Sequence, residues 1–162
     1  MENTIQIEKH LSKVEKYRML HRQIKALLQG ESNLIAKLAN LAAALKYGFD
    51  FFWVGFYLLE DNQLILGPFQ GSVACYRIEP GKGVCGTAFQ KGESIIVADV
   101  NQFEGHIACS SDSKSEIVVP LKVGENLIGV LDIDSDEFNH FDSTDQLYLE
   151  KILQSLADTI HD

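Results

Sequence analysis

The sequence predicts an α+β fold: a mostly antiparallel central β-sheet with N- and C-terminal helices packed on one face. Three observations lead there. Both ends of the chain carry apolar residues at helical spacing, and the middle is a series of short apolar runs joined by turn residues. The long strand–helix alternation of a doubly wound parallel sheet is missing.

The first helix runs through Leu11, Val14, Met19, Ile24, Leu27 and Leu28, and Gly30 breaks it, so residues 1–30 form an N-terminal helical segment. Ser32 is placed to cap a second helix with Leu34, Ile35, Leu38, Leu41, Ala42 and Leu45 as its apolar stripe. Gly48 stands where a left-handed helix end is expected. Phe51 to Leu59 reads as a strand, turning at Glu60-Asp61-Asn62 into Gln63–Leu66. Val73 to Ile78 reads as a third strand, Gly81 to Gly92 as a loop entering a short helix, and Ser94 to Ala98 as a fourth strand. Asp99 to Ser115 is polar and aperiodic, the signature of a functional lid or a disordered segment. Glu116–Val123 and Leu127–Asp134 pair across Gly124-Glu125-Asn126. Asp142 caps a last helix that buries Leu147, Ile152, Leu153, Leu156 and Ile160.

At 162 residues the chain fits one domain, residues 1–162, large enough to bury a core without disulfide staples. Its net charge of -9 argues against nucleic acid and against an anionic membrane surface. No apolar run approaches the roughly 20 residues of a membrane span. Nor does the start show a secretory signal, so the expected compartment is the reducing cytoplasm. Three cysteines, Cys75, Cys85 and Cys109, are an odd number there and a poor match to a structural disulfide framework. Redox, catalytic or simply buried thiols remain.

Those thiols lie near carboxylates. On one strand Ile128, Val130, Asp132 and Asp134 share a face, while Leu127, Gly129, Leu131 and Ile133 share the other, the natural core side. Asp132 and Asp134 then have Cα atoms roughly 7 Å apart, close enough for one to stay protonated at the mouth of an apolar pocket. A solvated loop end is the plainer alternative, since Asp136 and Glu137 follow. Calcium is excluded, because Glu137 replaces the required glycine and Ser143 the bidentate glutamate. Gly81-Lys82-Gly83-Val84-Cys85 lacks the ending of a phosphate loop; if a helix starts there it would lower the Cys85 thiol pKa, and a small buried residue where helix packs on sheet is the equal alternative. Cys75 sits in an apolar run and by itself reads as core; Cys109 lies in the polar loop near His106 and is accessible. Only His106 and Cys109 have tight ligand spacing among the possible zinc donors, so no metal is expected. Trp53 and Tyr57 share a strand face with Phe51 and Gly55, packing in the core or walling a small-ligand pocket.

Together these residues resemble the free methionine-(R)-sulfoxide reductases, stand-alone members of the GAF-domain superfamily. The resemblance rests on Phe52-Trp53-Val54-Gly55-Phe56-Tyr57, Gly67-Pro68-Phe69-Gln70-Gly71 and Gly81-Lys82-Gly83-Val84-Cys85-Gly86. It continues through Ile107-Ala108-Cys109, Ser115-Glu116-Ile117-Val118-Val119-Pro120 and Leu131-Asp132-Ile133-Asp134-Ser135. It implies a GAF-like catalytic domain without cofactor that reduces free methionine-(R)-sulfoxide. Trp53 and Tyr57 would wall the pocket, and Glu116, Asp132 and Asp134 would bind the ammonium and protonate the sulfoxide oxygen. Cys109 would attack sulfur and become a sulfenic acid. Cys75, or failing that Cys85, would resolve it to a disulfide that thioredoxin reduces. A non-catalytic GAF-type ligand-binding or redox-sensing module is the alternative. The apolar stripes at both chain ends also leave room for a homodimer.

Overall fold

The computed structural model describes residues 4–160. Helix α1 (Lys13–Leu28) opens on a reciprocal capping box in which Ser12 and Glu15 satisfy each other's backbone amides. Helix α2 (Leu34–Phe49) is capped by Asn33, whose side chain accepts from the Ala36 amide at 3.0 Å, and not by Ser32. It also runs through Gly48 and stops at Asp50, which takes the left-handed conformation at φ 53°. Gly48 is instead a packing residue: a Cβ there would press on Ile7 and Leu20.

Strands β1 (Trp53–Glu60) and β2 (Gln63–Gln70) join through Asp61 and Asn62 at φ 48° and 63°, the backbone of a two-residue hairpin turn. Strand β3 holds only Arg77–Ile78. The expected strand from Val73 therefore shrinks to two residues: the Tyr76 carbonyl still accepts from the Leu66 amide at 2.9 Å, while the Ser72 and Cys75 carbonyls accept from the Trp53 and Tyr57 side chains. Helix α3 (Gly83–Lys91) and strand β4 (Ile95–Val97) follow, then a 3-10 turn at Val100–Gln102. Strands β5 (Ser115–Val123) and β6 (Asn126–Ser135) turn on Gly124-Glu125, one residue tighter than the spacing suggested. Helix α4 (Ser143–Ala157) begins at an Asp142–Asp145 capping box.

The six strands form one sheet in the order β3-β2-β1-β6-β5-β4, with every neighbouring pair antiparallel. Helices α1, α2 and α4 cover one face. Tyr17, Leu20, Leu38, Leu41, Ile152 and Leu156 meet Val54, Phe56, Leu131 and Ile133 there. The stripes of α1 and α4 thus cover each other within the chain, although Leu147, expected in the α4 stripe, is 48% exposed and Ile35, expected in that of α2, is 53% exposed. Phe51 precedes β1 and packs on this helical side, not with Trp53 and Tyr57, since the turn at Asp50 redirects the chain. Helix α3 alone departs from the one-sided arrangement. It lies on the opposite face, where Val84, Cys85 and Ala88 pack with Trp53, Tyr57, Val118 and Val130.

Candidate active site

Strand register brings the candidate residues together. Trp53 on β1 stands opposite Asp134 on β6, which stands opposite Glu116 on β5, so these three share one row across the sheet. In the next row Gly55 faces Asp132 and Asp132 faces Val118. Tyr57 and Val130 pair in the third. Because side chains alternate, Leu131 and Ile133 enter the helical core while Asp132 and Asp134 point the other way. Gly55 is required: a Cβ there would collide with the Trp53 indole lying across it.

Above these rows is a cavity of about 50 Å³, lined by Trp53, Tyr57, Cys85, Cys109, Glu116, Asp132 and Asp134, with His106, Ser113 and Lys82 beside them. Two chain segments roof it. Trp53 Nε1 donates to the Ser72 carbonyl at 2.9 Å, and the Tyr57 hydroxyl donates to the Cys75 carbonyl at 2.9 Å. The indole and phenol are therefore both cavity wall and anchor for residues 72–75. The second segment is the polar loop, ordered over the cavity with Ile107 seated on Gly83, whose φ of +61° and missing side chain admit it. A disulfide joins the two segments: Cys75 to Cys109, Cα atoms 5.4 Å apart. Cys85 is the free thiol, buried beneath.

The acids are deeper than a pocket mouth. Glu116 and Asp132 are buried, and Asp134 is half-buried, accepting from the Ser113 hydroxyl at 2.7 Å. Burial raises all three carboxyl pKa values above the usual range, and Asp132 pushes Glu116 and Asp134 further up by repulsion. Asp132 Oδ1 has no hydrogen-bond partner. The expected lowering at Cys85 is reversed. Burial, with Asp132 and Glu116 alongside, drives its thiol pKa well up despite its place in the first turn of α3. That thiol reaches Glu116 Oε1 at 3.9 Å. On the other side His106 Nε2 approaches Glu116 Oε2 at 3.8 Å, and burial lowers the imidazole pKa.

Every residue singled out from sequence thus borders one cavity, Cys75 through its bond to Cys109. Ser113 and Lys82 were not foreseen as site residues, and only their places in the polar loop and the glycine-rich turn hinted at them. The zinc donors considered from sequence do not assemble, because Cys75 and Cys109 are spent on each other. A different set does: the ligand atoms of Cys85, Glu116 and Asp132 all lie within 4.8 Å of one another.

A curled antiparallel sheet with a ligand-sized cavity under α3 and its flanking loops defines a small-molecule-binding α+β domain, and the GAF domain signature matches residues 33–161. A free methionine-R-sulfoxide reductase of Escherichia coli (strain K12) is 48% identical over 147 residues, 90% of this chain and 89% of that one. GAF domain-containing protein A of Dictyostelium discoideum is 60% identical, over 90% of this chain and 92% of its own. Among solved structures, the free methionine-R-sulfoxide reductase of Neisseria meningitidis in complex with its substrate superposes with a TM-score of 0.94 at 45% identity, covering 97% of this chain and 95% of that one. The chain belongs to the GAF-domain family and, within it, to the free methionine-R-sulfoxide reductases.

Proposed function

We propose that the protein reduces free L-methionine-(R)-sulfoxide to methionine, with Cys109 as nucleophile and Cys75 as resolving thiol. The observation that carries this reading is the Cys75–Cys109 disulfide roofing a cavity floored by three acids, two buried and one half-buried. A redox-active bond sits directly over proton donors, which is what sulfoxide reduction needs.

Asp132 keeps an unpartnered oxygen turned into the cavity and suits the substrate ammonium. Glu116, held in its acid form by burial and by Asp132, suits donation to the sulfoxide oxygen. Lys82 and the amides opening α3, which no side chain caps, suit the α-carboxylate. Protonation of the oxygen makes sulfur electrophilic, and the Cys109 thiolate attacks it. The oxygen passes from the methionine sulfur to the Cys109 sulfur as the transient S–S bond breaks, so methionine leaves with the electron pair and Cys109 is left as sulfenic acid. The Cys75 thiol then displaces water and forms the disulfide. Two electrons return from an external dithiol, for which thioredoxin is the proposed donor. Val73 and Tyr76, flanking Cys75, are 86% and 81% exposed and offer that donor an apolar approach.

Cys85 takes no part in this scheme. Its buried, protonated thiol makes it a poor resolving group. Binding through the ammonium and carboxylate also demands a free amino acid, since a residue within a peptide has neither.

The test is methionine release with dithiothreitol and separated R and S sulfoxides, free and within a peptide. Release from the free R form alone supports the reading, and release from a peptide sulfoxide at a comparable rate removes the role given to the acids. Without reductant, Cys75→Ser should still release up to one methionine per chain, whereas Cys109→Ser should release none.

A further inference from the structure

The reaction leaves two good metal donors idle in the cavity, Cys85 at its floor and His106 in the loop above. The Cys85 thiol has no role in it, and neither does the His106 imidazole; an ammonium group has no use for either. Cys85 Sγ and one carboxylate oxygen each from Glu116 and Asp132 converge within 4.8 Å. His106 Nε2 stands 3.8 Å from the other oxygen of Glu116. Independently, Asp132 Oδ1 is buried inside this cavity with nothing bonded to it. A buried carboxylate oxygen without a partner is a costly atom, and a cation is the group that satisfies it best.

We propose that this pocket is also a binding site for a thiophilic divalent cation, with zinc the best match, held by Cys85, Glu116, Asp132 and His106, and that its occupation blocks the reductase. One sulfur, one imidazole and two carboxylates form a four-donor set that zinc accepts. Tetrahedral zinc wants its donors roughly 3.5 Å apart. Cys85, Glu116 and Asp132 need only modest closure, and His106, which meets Glu116 but stands outside that cluster, is brought in by movement of its loop. A cavity of about 50 Å³ takes an ion with ease. The block has two causes: the ion consumes the oxygens reserved for ammonium and sulfoxide, and it pins the loop bearing His106 and Cys109 onto the sheet.

The site rests on the proposed substrate pocket, yet its test reads no turnover. In the oxidised protein Cys85 is the one free thiol, so a sulfur-to-cobalt charge-transfer band can come from nowhere else. Oxidised protein stripped by a chelator is titrated with Co²⁺. The expected result is a near-ultraviolet band that saturates at one equivalent, bleaches on adding Zn²⁺, and is absent from Cys85→Ser. Asp132→Asn, which leaves every sulfur in place, should weaken cobalt binding at least roughly ten-fold. Absence of the band in the wild type, its survival in Cys85→Ser, or unchanged affinity in Asp132→Asn each overturns the proposal. In the reductase assay Zn²⁺ should inhibit in competition with the sulfoxide and chelator should restore the rate. Methionine release without a cobalt band sinks the metal site alone, and a band without methionine release sinks the reductase reading alone.

Discussion

Two aspartates in this molecule are almost equally buried and entirely differently treated. Asp145, at the start of α4 on the helical side, is 1% exposed, and Asp132, on the opposite face of the sheet, is 6% exposed. Asp145 accepts from the Tyr17 hydroxyl at 2.7 Å, from Lys13 Nζ at 2.8 Å and from the Asp142 amide at 2.8 Å. Asp132 leaves Oδ1 bare among two further acids. The helical face satisfies its buried charges; Lys37, also buried there, donates to the Thr159 carbonyl at 2.7 Å. The cavity face does not. A polar group that folding alone would never leave exposed to apolar surroundings is waiting for something that folding does not supply. On the proposed reading, the difference separates an acid that stabilises the fold from an acid kept ready for a ligand.

The contrast can be broken most sharply at the roof. Cys109→Ser should cut steady-state methionine release by at least roughly 1,000-fold while the thermal midpoint of the reduced protein stays close to wild type. A variant that retained turnover would detach the disulfide from the chemistry. Next come the two aspartates. Asp145→Ala should lower unfolding free energy by about 3 kcal/mol, since it strands Tyr17 and Lys13, with catalytic constants little changed. Asp132→Asn should do the reverse, costing about 100-fold in kcat/KM with stability equal to or above wild type. Urea titrations beside steady-state assays decide it, and equal stability losses at both positions would erase the distinction.

A smaller effect concerns pH. The site carboxyls have folded pKa values raised by burial, so the unfolded chain releases those protons first as pH rises. Their favourable contribution is therefore complete below the ordinary carboxylate range and is lost as pH climbs through the raised values. Glu116→Gln should flatten that loss, gaining on the order of 1–2 kcal/mol on wild type between pH 5 and pH 8. An unchanged slope would mean Glu116 is ionised in the fold. Smallest of all, Tyr57→Phe removes the bond to the Cys75 carbonyl and should cost about 1 kcal/mol, with slower closure of the disulfide after one turnover.

The helical face was more legible in sequence than the cavity face, for a physical reason. Stripes such as Leu38, Leu41 and Leu45 obey one period along one element, and β6 shows its two sides directly, Leu131 and Ile133 against Asp132 and Asp134. The cavity needs contacts between elements far apart in the chain. That Trp53 and Tyr57 face the acids follows from β1–β6 register, which no local pattern encodes. Cys85 was misjudged because a helix start argues for a lowered pKa, while burial beside two acids, visible only in three dimensions, overrides it. Val73–Cys75 has strand composition, yet the carbonyls of Ser72 and Cys75 accept from the Trp53 and Tyr57 side chains, a pairing between distant residues that no local pattern encodes. Gly48 and Ser32 lost their assigned roles to neighbours one or two residues away, the ordinary uncertainty of helix ends.

The Cys75–Cys109 bond closes a ring spanning 34 positions in sequence, and that ring contains all of α3 and β4. Tying a chain at that separation removes unfolded-state freedom equivalent to about 4 kcal/mol. On the proposed mechanism, each catalytic cycle alternates between a looser dithiol chain and a toughened, disulfide-bonded one. Heat resistance and protease resistance become gauges of how much of the protein is waiting for electrons.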